Sequence, residues 1–170
     1  MHSDHDTTIV GRSLESTVAR FGSPTINRYR PDLYPESYCF QHEGVRIGVE
    51  FLRGSAHYVR VYFDKVPSED IEVLLARYSG IEPWKPTSTR EVAFASYFPL
   101  FSPEAPRNRF FTTVCHAALI QTETAGIALG IHILTESYRE LLAAYRKERK
   151  AAEPGATDNP DIAQRLREDY

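Results

Sequence analysis

GRSLESTVARFGSPT, residues 11–25, is a short helix with both of its ends written in. Ser13 is the type of residue that caps a helix start, and Glu15 falls in the first turn, where a negative charge suits the helix dipole. Leu14, Thr17, Val18 and Phe21 recur at helical spacing and form one apolar stripe. Gly22 ends the helix and Pro24 prevents its resumption. Beyond it the period changes. Val45, Ile47, Val49 and Phe51 alternate with Arg46, Gly48 and Glu50. After the turn at Arg53-Gly54-Ser55, Val59, Val61 and Phe63 alternate with Tyr58, Arg60 and Tyr62. A period of two marks strands with one apolar and one polar face. A capped helix feeding such a meander sets the fold class.

The rest of the chain extends this grammar. Tyr38–Glu43 reads as a short strand before the first alternating run. Ser68 can cap a second helix over 69–79, with Ile71, Leu74, Leu75 and Tyr78 as its buried stripe and Gly80 as its stop. Strands are expected at Glu91–Phe98, at Phe110–Glu123 as one long and bent element, and at Gly126–Thr135. Ser137–Lys150 is a third helix, whose RKERK end places cations at a C-terminus. Residues 25–37, 81–90 and 99–109 read as proline-bearing loops. Strand runs separated by helices imply an α+β fold with a mainly antiparallel sheet of about six strands and two or three helices packed on one side. Each half of the chain has a helix followed by a meander, a loose internal echo. No βαβ crossover or Gly-rich phosphate loop is written here.

The sequence of 170 residues suits a single domain over 1–152, with 1–10 as a mobile polar lead-in and 153–170 as an acidic appendage. No apolar run approaches the roughly 20 residues of a membrane span, so no transmembrane segment is expected. Residues 1–10 do not read as a signal peptide, which suits a cytoplasmic protein or one whose leader has been removed. The net charge of −3 resides in the tail. The neutral body gives no case for nucleic acid, which needs a clustered basic surface. Sixteen of the 20 basic residues are Arg, which favours planar contacts to other proteins. Cys39 and Cys115 both fall in expected strands. They read as buried free thiols, with a disulfide open to a chain matured in an oxidising compartment.

Gly11, Val18, Phe21-Gly22 and Pro24, then a strand and the F-x-x-G turn from Phe51 to Gly54, resemble the SmpA/OmlA family of outer-membrane assembly lipoproteins, which are similar in shape to a β-lactamase inhibitor protein fold. The resemblance covers residues 9–64. It implies a helix ending in Gly-x-Pro before a three-stranded antiparallel sheet, and a non-catalytic role of bacterial-envelope type. It transfers no functional residue. The lipobox cysteine of that family has no counterpart here, and only one helix precedes the strands.

Candidate chemistry is sparse. A turn centred on Thr124 would set His116 opposite His132, a cross-strand pair able to share a metal, although a third ligand is missing nearby. Cys115 and His116 are adjacent in a strand and point to opposite faces, so they cannot act as nucleophile and base together. No cofactor motif is present. The better working surface is aromatic and arginine-rich: Arg28, Tyr29, Arg30 and Tyr34 in one loop, Phe101, Arg107 and Arg109 in another. Such residues are enriched at interface cores, and proline lowers the entropy cost of ordering a loop. They also suit plugs at the ends of the core. The stripe Tyr58, Arg60 and Tyr62 is a second possible face, open to a partner unless the C-terminal helix covers it. The expected function is a non-enzymatic interaction or scaffold domain whose partner is another protein. The alternatives are a small-ligand or metal-binding module with a cup between sheet and helices, and a small hydrolase.

Overall fold

Two helix-led meanders, joined through their last strands, make up the molecule in a computed structural model that describes residues 6–27, 33–86, 109–120 and 128–152. The first half holds α1 (Leu14–Phe21), β1 (Thr25–Asn27), β2 (Ser37–His42), β3 (Val45–Leu52) and β4 (Ser55–Phe63). The second holds α2 (Ile71–Ser79), β5 (Lys85–Pro86), β6 (Arg109–Phe111), β7 (Cys115–Ile120) and β8 (Leu129–Thr135). A last helix, α3 (Tyr138–Ala152), completes the described chain. The eight strands run in the order β1-β2-β3-β4-β8-β7-β6-β5, every neighbouring pair antiparallel. Corresponding strands of the two halves, β4 and β8, therefore meet at the centre.

The α+β class and the antiparallel sheet hold, but the sheet has eight strands instead of about six. β1 and β5 are brief pairings within stretches that read as loops. The expected strand Phe110–Glu123 is two strands. Thr112 breaks it: its Oγ1 accepts from the Cys115 and Val114 amides at 2.9 and 3.2 Å, while its own N–H donates to the Cys115 carbonyl at 2.8 Å. A β-branched residue that bonds its own backbone closes a tight turn where alternation alone shows only more strand. The expected strand at Glu91–Phe98 lies outside the described residues.

α1 is built as its sequence prescribes. Ser13 accepts from the Ser16 amide at 3.1 Å, and the Gly22 amide, at φ +88°, closes on the Val18 carbonyl. α2 stops at left-handed Gly80, but its N-cap is Asp70 and not Ser68, with no side-chain cap bond. Residues 6–10 are tied to the domain where the sequence suggests a mobile lead-in. Ile9 is fully buried and its N–H donates to the Tyr78 carbonyl at 2.8 Å.

The main core lies between α1, α2 and one sheet face. Ile47, Val61 and Ile131 sit side by side across β3, β4 and β8, as do Val49, Val59 and Ile133. Phe21 from α1 and Leu74, Leu75 and Tyr78 from α2 close over them. The helices do not all share that side. α3 packs on the opposite face, where Tyr138 and Leu142 join Leu52 and Leu134 in a separate buried cluster. A β-bulge opposite Glu50 and Phe51 leaves His57 of β4 without an opposite partner, while Leu52, two residues beyond Glu50 on β3, shares this second face. That supplies α3 with an apolar seat at one end of an otherwise polar surface.

Candidate functional site

The second face is built by the polar members of each alternating run. One row across the strands reads Glu50, Tyr58, Leu134, His116, from β3 to β7. The next reads Thr25, Cys39, Gly48, Arg60, His132, from β1 to β8. A third sets Gln41 beside Arg46 and Arg46 beside Tyr62. α3 covers the first row only. The Tyr138 ring lies 5.4 Å from Tyr58, and its hydroxyl donates to buried Glu50 Oε2 at 2.6 Å. Burial pushes the Glu50 carboxyl above its ordinary range, against the pull of the Tyr138 hydroxyl and the charge of Arg60. Further along α3, Arg146 Nε donates to the Leu33 carbonyl, and its guanidinium stacks 4.9 Å from the Tyr34 ring. α3 is thereby stapled to the β1–β2 connection.

At the centre of the face, His132 is held between two tyrosines. Its Nδ1 is 2.7 Å from the Tyr58 hydroxyl and its Nε2 is 3.1 Å from the Tyr62 hydroxyl. Burial, with a smaller push from Arg60, lowers its pKa to about 3, so the ring is neutral at ordinary pH. A neutral imidazole has one donor and one acceptor nitrogen, so one tyrosine gives a proton to the ring and the other receives one. This cluster aligns the tyrosines. It does not offer a titrating base near neutrality.

Beside the cluster the face is open. A groove of about 330 Å³ is lined by Thr25, Cys39, Gln41, Arg46, Arg60 and Tyr62, among others. Its floor at Gly48 has no side chain, and the Arg60 guanidinium lies flat across it. A Cβ placed there would come within 3.1 Å of Arg60 Nε and Nη2. Arg60 also stacks 5.3 Å from the Tyr58 ring. Its Nε is shut off from water and has no hydrogen-bond partner among the described residues. None of the groove's described lining residues is an acid.

The expected sites fare unevenly. His116 does not face His132. The β7–β8 pairing is offset by two residues, so His116 lies opposite Leu134 and His132 opposite Ala118. A one-residue error in the centre of a hairpin moves every cross-strand partner by two. No group of three metal-ligating side chains occurs among the described residues. Tyr34 is exposed and committed to Arg146. Arg109 sits in β6 opposite Ala118, and its neighbour Phe110 is buried in the main core, as a plug. Arg28, Tyr29, Arg30, Phe101 and Arg107 lie outside the described residues. The stripe Tyr58-Arg60-Tyr62 falls between its two readings, with Tyr58 under α3 and Arg60 and Tyr62 at the groove. Cys39 and Arg46 join this site without any motif to mark them. Their alternation with Phe40 and Ile47 is the signal that puts them on the polar face.

The two thiols are also settled by position. Cys115 is buried on the face under α1 and α2, where burial pushes its pKa up to about 12, while Cys39 is exposed on the other. Cys39 is thus not the buried thiol its strand position suggests. Four strand spacings of about 4.8 Å separate β2 from β7, or about 19 Å, and a disulfide needs Cα atoms about 4.4–6.8 Å apart. The two cysteines are free.

Comparison with known proteins adds little to this geometry. No protein-family model and no curated protein matches the chain. Among solved structures, a cysteine-rich secretory protein from Staphylococcus aureus aligns with a TM-score of 0.46 at 17% identity, over 75% of this chain and 44% of that one. An extracellular protein containing a SCP domain from Bacillus anthracis aligns with a TM-score of 0.45 at 14% identity, over 83% of this chain and 50% of that one. The chain spans half or less of the length of each.

Proposed function

We propose that the chain is a non-enzymatic protein-binding domain whose working surface is the open half of the second sheet face, and that its occupant is an extended acidic segment of a partner protein. One observation carries this reading. α3 covers the Tyr58–Leu134 end of the face and leaves Arg46, Arg60 and Tyr62 in a groove whose described lining contains no acid. Arg and Tyr are the residue types that dominate interface energetics, and a cationic groove selects a partner of opposite charge. A rigid sheet presents them with little entropy left to lose on binding. The envelope-type, non-catalytic role implied by the resemblance of residues 9–64 points the same way.

The titratable groups among the described residues do not favour the hydrolase alternative. Glu50 is spent on Tyr138, His132 is held neutral between tyrosines, and Cys115 lies on the far face. Catalysis needs such groups to converge in one cleft. The cup between sheet and helices is filled by the main core, and the groove lies on the outer face instead.

The test is selection of random peptides on the immobilised full chain. Selected sequences are expected to be rich in Asp and Glu, and to lose binding on Arg46→Ala and on Tyr62→Ala while amide spectra show both variants folded. Selected peptides that bind both variants as tightly as the parent would overturn the reading.

A further inference from the structure

We propose that the groove beside Gly48 is a carboxylate-binding pocket, with the Arg60 guanidinium as its anchor and Arg46 as a second cation at its wall. The inference rests on the protein-binding reading and names the chemistry that reading requires: the carboxylate of an Asp or Glu side chain in the partner segment.

Arg60 is a half-buried cation with no ion pair among the described residues. A guanidinium removed from water without an anion is costly, and a ligand that supplies the anion recovers that cost. Glu50 supplies it only at a distance, attracting Arg60 without forming a contact ion pair. It lies one row away, turned under α3, and its Oε2 is taken by the Tyr138 hydroxyl. The groove lining instead offers donors, with Thr25, Gln41 and Tyr62 around the two arginines.

The pocket is also prepared in advance. Gly48 gives the guanidinium a flat bed, and the guanidinium's central carbon lies over the Tyr58 ring. Tyr58 is in turn held by His132. A planar fork held in place meets a planar two-oxygen acceptor with two parallel N–H···O bonds. A phosphate would add oxygens that seek backbone N–H groups, as a helix N-terminus provides. Here the floor is sheet, and the amides of its central strands serve the ladder. Carboxylate is therefore the better match.

The experiment monitors the Arg60 Nε–Hε resonance in ¹⁵N-labelled full chain at constant ionic strength. Glutarate and inorganic phosphate are titrated separately, and Arg60→Gln identifies the resonance by removing it. Glutarate is expected to move the signal saturably, and phosphate more weakly. Gly48→Ala keeps every charge but lifts the guanidinium off its bed. It is expected to weaken glutarate binding about tenfold, the scale of one charge-assisted hydrogen bond. No saturable shift with glutarate, or phosphate binding the tighter of the two, would overturn the pocket. So would a Gly48→Ala variant that is folded, by its amide spectrum, and binds glutarate normally. The two proposals fail separately. Selected peptides lost on Tyr62→Ala while glutarate leaves Arg60 unmoved would retain the face and discard the pocket. Glutarate at Arg60 with peptides indifferent to both face variants would discard the partner segment.

Discussion

Tyr138→Phe tests how the C-terminal helix is fixed to the second face. Tyr138 is 2% exposed, and its hydroxyl donates to a carboxylate that is itself only 6% exposed. Phenylalanine keeps the ring against Tyr58, Leu52 and Leu134, so the packing term is nearly conserved. What is lost is one hydrogen bond to a buried acceptor, worth about 0.5–1.5 kcal/mol with the carboxyl protonated and roughly 1.5–3 kcal/mol with it ionised. For a chain of this size each kcal/mol moves the melting temperature by about 2–4 °C, so a fall of about 1–12 °C is expected at neutral pH. The loss depends on pH in a fixed direction. The folded Glu50 pKa lies above its ordinary 4.5, so its ionisation favours folding least at high pH, and stability is lost as pH rises through the folded value. Removing the hydroxyl raises that value further. The deficit of Tyr138→Phe should therefore be larger above the folded Glu50 value than below it. Urea unfolding at several pH values measures it. In a Glu50→Gln background the same substitution should cost about 1 kcal/mol less. An unchanged melting temperature, or equal deficits with Glu and Gln at position 50, would refute the reasoning.

Three other perturbations probe separate parts of the structure. In native protein without reductant, Cys39 should react promptly with a thiol reagent and Cys115 only after denaturation; a chain with no free thiols would contradict the placement of β2 and β7. Because the His132 pKa is depressed from 6.5 to about 3, the unfolded chain binds a proton that the folded one refuses. The stability that this ring contributes should be fully present above pH 6.5 and fall progressively toward pH 3, and His132→Gln should remove that component of the profile in urea titrations; an unchanged profile would place the ring elsewhere. Gly80 has φ +69°, and an added Cβ would lie 2.6 Å from Thr8 Cγ2. Gly80→Ala should thus cost more than the roughly 1–2 kcal/mol of a left-handed non-glycine residue, read from the denaturation midpoint.

The parts of the fold carried by local signals were legible. Ser13, Gly22 and Pro24 bound α1 by short-range chemistry, and the alternation from Val45 to Phe63 set both strand identity and which side chains share a face. Signals that depend on partners were not legible. β1 and β5 are strands because β2 and β6 lie beside them, and their own residues, Thr25–Asn27 and Lys85–Pro86, carry no period. The side taken by α3 was hidden for a similar reason. Leu52 and Leu134 fall on the second face by alternation with Phe51 and Ile133, but only the assembly of β3, β4 and β8 brings them together as an apolar seat for Leu142. The groove was half visible. Arg60 and Tyr62 stand out as a stripe, but the value of Gly48 as a bed for Arg60 emerges only once the two strands are in register.

Cys39 lines the groove and is the natural reporter of its occupancy. The most direct test of the open face is the rate at which iodoacetamide alkylates Cys39 in the full chain, with and without a saturating acidic peptide from the selection. Slowing of Cys39 in proportion to occupancy, with Cys115 silent throughout, is the expected result. Alkylation of Cys39 at an unchanged rate while the peptide is bound would place recognition on another surface.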